Sequence, residues 1–166
     1  MPDASTPIYL STIGVRFFYK VESTAGTKPT TGYTELKGIK SIPALNSAPD
    51  TLDTTTLNET EYKTSIPGLK DMGGSLSFTF NLSQYIKDAW DALMTAYEAG
   101  VSSTPAKATW FLIVIPGLTE GLYFPGQPSN MGLPELGVNS VAEIENYITP
   151  IGEPEFDTLP TDIASV

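Results

Sequence analysis

The sequence predicts a mainly β domain of the α+β class: a β-sandwich or open barrel flanked by one α-helix, with a long projecting loop and terminal arms. Three observations predict it. Several short segments alternate apolar and polar residues at the strand period of two, most clearly Leu76-Ser-Phe-Thr-Phe-Asn-Leu82. A single segment, Gln84–Ala99, carries apolar residues at helical spacing. Between these segments, 14 prolines and 14 glycines mark frequent turns. A chain of 166 residues fits one domain over its full length and can bury a core without staples.

Residues 1–10 read as an N-terminal arm. The first strand is expected at Ile13–Val21, with Val15, Phe17, Tyr19 and Val21 on one face and Arg16, Phe18 and Lys20 on the other. Ala25–Gly32 supplies a turn, and a second strand over Tyr33–Ile42 stops at Pro43. After a long polar stretch, Leu76–Leu82 places four apolar residues on one face. In the helix, Ile86, Trp90, Leu93 and Tyr97 form a stripe, which makes core packing the expected role of both aromatics. Ser83 is the expected N-cap and Gly100 the expected left-handed residue after the helix. Lys107–Ile115 has apolar residues on both faces, so it needs a cover on each side: the helix on one, a second sheet or a neighbouring subunit on the other. A Pro/Gly-rich section, Pro116–Gly137, holds a short strand near Leu122–Phe124. A last strand covers Val141–Thr149, and Pro150–Val166 reads as an irregular C-terminal arm.

Composition excludes more than it identifies. The chain has no His and no Cys, which removes the usual general base, the Ser-His triad, thiolate sites and most zinc or iron centres. The formal charge is −10, and Arg16 is the only arginine. Eight dispersed lysines do not make a phosphate-binding surface. Residues 1–12 contain Asp3 and no apolar core, unlike a signal peptide, and the longest apolar run, Trp110–Ile115, is too short to span a membrane. No cofactor, no metal, no membrane insertion and no catalytic residue are expected. Glu143 and Glu145 share a strand face and could imitate a glycosidase pair, but such pairs are normally solvated surface. Asp50/Asp53 and Glu59/Glu61 lack the spacing of a calcium loop. Gly68, Gly73 and Gly74 lack the phosphate-loop pattern and read as hinge glycines. The alternative to a structural subunit is a monomeric β-sandwich binding module, carbohydrate-binding or adhesin-like, for which Tyr123 and Phe124 are the candidate contact aromatics.

The segment Ser47–Ser65, SAPDTLDTTTLNETEYKTS, has only Ala48, Leu52, Leu57 and Tyr62 as apolar residues. It cannot form its own core, and its threonine run favours extended backbone. A β-ribbon that orders against another subunit is the expectation. The run Asp50–Leu82, with its acidic Asp/Thr stretch, its SIPGLKDMG hinge and its alternating strand leading into a helix, resembles the central region of siphophage major tail tube proteins. The order continues through the apolar strand WFLIVIP, a Pro/Gly connection and a last strand ending in Ile151-Gly152-x-Pro154. The resemblance covers residues 10 to 156.

The resemblance implies a virion structural protein, related in fold to the tubes of contractile tails and type VI secretion. Such proteins form hexameric rings that stack into a hollow tube, through which viral DNA passes during ejection. It implies assembly in the bacterial cytoplasm and partners in a tail tip, a terminator and a length-setting protein. It gives ring-to-ring contacts to the loop at residues 47–71 and to the arms at 1–10 and 150–166. Within the loop, Leu52, Asp53, Thr54, Leu57, Tyr62, Ile66 and Leu69 are the candidate interface residues.

Overall fold

Eight strands pair antiparallel into one curled sheet in a computed structural model that describes residues 9–46 and 48–163. They are β1 (Arg16–Val21), β2 (Thr34–Glu35), β3 (Ile39–Ser41), β6 (Leu76–Asn81), β7 (Thr109–Val114), β8 (Glu120–Pro128), β9 (Glu143–Pro150) and β10 (Glu155–Thr158). Two further strands, β4 (Ala48–Asp53) and β5 (Ser65–Asp71), pair only with each other, and α1 spans Gln84–Val101. Residues 1–8 of the expected N-terminal arm and 164–166 of the C-terminal one lie outside the described residues, as does Ser47.

The sheet runs β2-β1-β7-β8-β9-β6-β3, with β10 added beside β8. Its two outermost strands, β2 and β3, are consecutive in the chain and separated only by Leu36-Lys37-Gly38. One segment therefore covers both edges of the sheet and draws them together. The sequence reading gave this segment one continuous strand, Tyr33–Ile42. The structure breaks it at Gly38, whose φ of +87° suits glycine, so that the chain leaves β1 and joins β6. Leu36 buries its side chain in the core at the break, and its N–H donates to the Phe17 carbonyl at 2.8 Å. Arg16 holds the segment from β1 with two bonds to Glu35, Nε–Oε1 at 3.1 Å and Nη2–Oε2 at 2.9 Å.

Inside the curl, Phe17, Phe78, Phe111 and Phe124 form a chain of stacked rings with centroids 5.1–6.2 Å apart. Helix α1 packs Ile86, Trp90 and Leu93 against this core, with Trp90 edge-on to Phe80. The Ser83 hydroxyl accepts the Ile86 N–H and caps the helix, as the sequence suggests. Gly100 does not end it. The helix continues to Val101, and Gly100 is needed because a β-carbon there would lie 2.8 Å from Val21 Cγ1 and 3.1 Å from the Lys107 carbonyl.

Strand β7 does carry two apolar faces, but the second cover is neither another sheet nor a neighbour. Phe18, Leu112, Val114 and Tyr123 on the outer face are covered by Tyr33, Leu159 and Ile163. The stretch expected to be an irregular arm thus contains a strand and a core anchor. It is fastened by Lys28, which pairs with Glu155 and Asp157 and lies 4.5 Å from the Tyr123 ring centroid. Asp162 accepts the Gly32 N–H, and Tyr123 donates to the Thr158 carbonyl at 2.7 Å. The short strand expected at Leu122–Phe124 is nine residues long. Pro125, which has no N–H to offer, falls between the end of its β10 pairing at Tyr123 and the start of its β9 pairing at Gly126.

Glu22, 6% exposed, joins the end of β1 to the residues ahead of β7. Its carboxylate accepts from the Trp110 indole at 2.9 Å, the Ala108 N–H at 3.1 Å and the Gly26 N–H at 2.9 Å. Burial pushes its pKa up, but these three bonds outweigh burial and hold it below the ordinary value. A lowered folded pKa gives stability that is present above the unfolded pKa of about 4.3 and lost as pH falls through the folded one. Glu22→Gln is expected to destabilise the fold by about 1–3 kcal/mol at pH 7. Thermal melts at pH 7 and pH 3 should show that gap closing in acid; a constant gap contradicts the account.

Candidate assembly surfaces

The long polar segment folds into a two-stranded ribbon. Leu52 pairs with Ile66 and Asp53 with Ser65, and the Thr54 N–H donates to the Thr64 carbonyl at 2.9 Å. At the tip, Asp53 Oδ1 accepts the Thr55 N–H, and the Thr55 hydroxyl together with this N–H holds the Asp53 carboxyl below its usual range. Glu59 accepts from the Thr56 N–H and the Thr64 hydroxyl, tying off the threonine run. Gly68 allows close approach, since a β-carbon there would sit 3.0 Å from the Asp50 carbonyl. The glycines where the ribbon rejoins the sheet, Gly73 and Gly74, both have positive φ. Near its base, Lys70 pairs with Glu153 at 2.7 Å.

The ribbon brings Leu52 and Ile66 together as a cross-strand pair and leaves Leu57 and Tyr62 at the far end. All seven sequence-selected residues are exposed. Leu57 is 104% exposed and Leu69 is 89%. Scattered apolar residues are ordinary on a surface; five on one thin ribbon, which has no core of its own, are not.

Two further surfaces escaped the sequence reading. Because every pairing in the curled sheet is antiparallel, its strand ends collect at two poles. At one pole lie Val21, Thr109, Pro128, Glu143 and Asn81, and α1 covers it; Trp90 Nε1 donates there to the Ser129 carbonyl at 2.9 Å. The opposite pole, where the ribbon is rooted, opens into a cavity of about 570 Å³. Val15, Ile42, Leu45, Ile115, Leu122 and Phe156 line it, with Lys70 and Glu153 at its polar side. At the helix-covered pole, the loop between β8 and β9 exposes Leu133, Leu136, Val138 and Val141. Val138 is 92% exposed, and Glu135 is the only charged residue from 129 to 142. The sequence signal was available in Leu133–Val141, but a Pro/Gly-rich stretch does not say which of its apolar residues turn outward.

The other candidates fare differently. Tyr123 and Phe124, the aromatics assigned to a ligand face, are 2% and 0% exposed and belong to the two cores. Glu143 pairs with Lys40, and Glu145 accepts from the Tyr147 hydroxyl. Among the described residues, no three His, Cys, Asp or Glu side chains gather as a metal site, and no helix is long and apolar enough to cross a membrane.

No protein-family model matches the chain, and no curated protein does. Solved structures do share its fold. A chain in the six-fold symmetrised baseplate of the anti-feeding prophage has a TM-score of 0.57 at 12% identity, covering 96% of this chain and 99% of that one. A chain in the sheath/tube terminator of an extracellular contractile injection system, PVC, in its extended state has a TM-score of 0.58 at 12% identity, covering 95% and 100%. A chain in the tail of the empty GTA particle, refined helically with C6 symmetry, has a TM-score of 0.53 at 14% identity, covering 86% and 96%. The fold is thus one used by phage-tail and contractile-injection-system components.

Proposed function

We propose that this chain is a non-enzymatic structural subunit of a phage or prophage tail, polymerising as stacked hexameric rings into the tube that conducts DNA during ejection. The observation that carries the reading is the ribbon: five exposed apolar residues, three on two strands that pair with nothing else in the domain and two at the tip between them. A two-stranded ribbon is marginal alone and gains stability by packing on a partner. The shared fold supports the tail assignment, and two of the solved relatives are described with six-fold symmetry.

The charge agrees with this role. A net −10 per copy, multiplied around a ring, favours a lumen from which phosphate is repelled, so that DNA slides without adsorbing. In this reading the ribbon, Ala48–Asp71, bridges one ring to the next, and a tail tip, a terminator and a length-setting protein start and limit growth. The subunit is assembled in the bacterial cytoplasm and ends in the virion. The competing reading, a monomeric binding module, has lost its candidate aromatics to the core.

Leu57→Asp is expected to leave the melting temperature within about 1 °C, because Leu57 touches no core, and to abolish polymer growth. Sedimentation and negative-stain microscopy of concentrated protein check both; normal tubes from Leu57→Asp would remove the ribbon from the mechanism. A wild-type protein that stays monomeric at every concentration would favour the binding module instead. Assembled tubes should also fail to retain duplex DNA at low salt, where electrostatic binding is strongest. Tight retention there would reverse the account of the charge.

A further inference from the structure

We infer that residues 155–163 are a releasable strap, clasped by Lys28, which opens as one unit while the barrel stays folded. Strand β10 lies off the path of the main sheet and pairs only with β8. Among the described residues its other edge has no strand beside it, and all four of its residues are exposed. Strand β7, by contrast, is paired along both edges and buried on both faces. Segments that open ahead of the whole domain are those with few buried contacts and solvent-exposed backbone bonds. By that measure β10 and β7 stand at opposite ends of this fold.

What keeps the strap closed is a small set of side-chain fastenings. Lys28, in the turn between β1 and β2, pairs with Glu155 at 2.8 Å and with Asp157. The Lys28 side chain is only 19% exposed and lies 4.5 Å from the Tyr123 ring centroid, so its pairing is less screened than an open surface ion pair. Glu155 and Asp157 share one face of β10, and without the ammonium between them they repel each other. Further along, the Tyr123 hydroxyl donates to the Thr158 carbonyl and Asp162 accepts the Gly32 N–H. Leu159 and Ile163 then close over Phe18, Leu112, Val114 and Tyr123. Opening the strap frees the edge of β8 at 120–123 and uncovers that apolar face. The second cover of β7 is thus removable, because the end of the chain supplies it rather than the body of the sheet.

Amide hydrogen exchange of the dilute full-length chain, followed by mass spectrometry in low denaturant, tests this. In the wild type, 155–163 should exchange about tenfold or more faster than Thr109–Val114, with one common denaturant slope that is shallower than that of β7. Lys28→Met keeps an apolar stem over Tyr123 and loses the charge; it should speed exchange of 155–163 by about tenfold. Arg16→Met removes the Arg16–Glu35 pair, which strap opening leaves intact. It should therefore speed Thr109–Val114 by about threefold or more and leave 155–163 unchanged. Equal wild-type slopes for the two segments, or equal acceleration of both by Arg16→Met, would mean that the strap opens only with the barrel and overturn the inference. Exchange that rises residue by residue along 155–163, without a common slope, would overturn the single unit. A strap unchanged by Lys28→Met would overturn the clasp.

Discussion

The structure depends on one closure. Thr34–Ser41 lies along β1 on one side and β6 on the other, so a single short segment covers both edges of the curled sheet. The only arginine of the chain holds it from β1, the Tyr85 hydroxyl reaches its Glu35 carbonyl from the helix, and Leu36 anchors it in the core. The ion pair holds Glu35 below its ordinary pKa, so the contact persists at neutral pH. Open sheet edges are templates for uncontrolled pairing, and this segment occupies them. In the proposed assembly, association between copies is thereby diverted from the central strands to a part outside the barrel, the ribbon.

That diversion corrects an inference that the sequence invites. Apolar residues on both faces of Trp110–Ile115 do require two covers, and the alternation assigns each residue to its correct face. Alternation cannot say who provides the second cover. Leu159 and Ile163 do so from a tail whose prolines and acids disguise it as solvent-exposed chain. The acids there are exposed but fasten the tail: Glu155 and Asp157 pair with Lys28, Glu153 pairs with Lys70, and Asp162 accepts the Gly32 N–H.

Other parts were legible because local rules decide them. The Leu76–Leu82 alternation, the Ile86–Trp90–Leu93 stripe and the Ser83 cap each follow from spacing alone. What was not legible depends on distant neighbours. Gly38 interrupts a run that looks like one strand because the two halves have different partners. Gly100 is small because Val21 and Lys107 come close, which no helix-end rule can reveal. Pro125 looks like a strand breaker until the two partners of β8 are known. The ribbon was foreseeable from its poverty in apolar residues; the recess and the β8–β9 loop were not, since both are made by the way strand ends converge.

The ion pairs have a consequence for the field around the molecule. Arg16, Lys28, Lys40, Lys70 and Lys87 each already face a carboxylate of their own chain. Five of the nine cations are therefore spent internally, and subunits of the proposed tube face one another mainly as anions. Crowding them side by side compresses that negative cloud, and dissolved cations must supply the neutralisation over the ~8–10 Å reach of physiological screening. In the proposed tube the ionic medium thereby becomes a silent component, setting how closely protomers can gather.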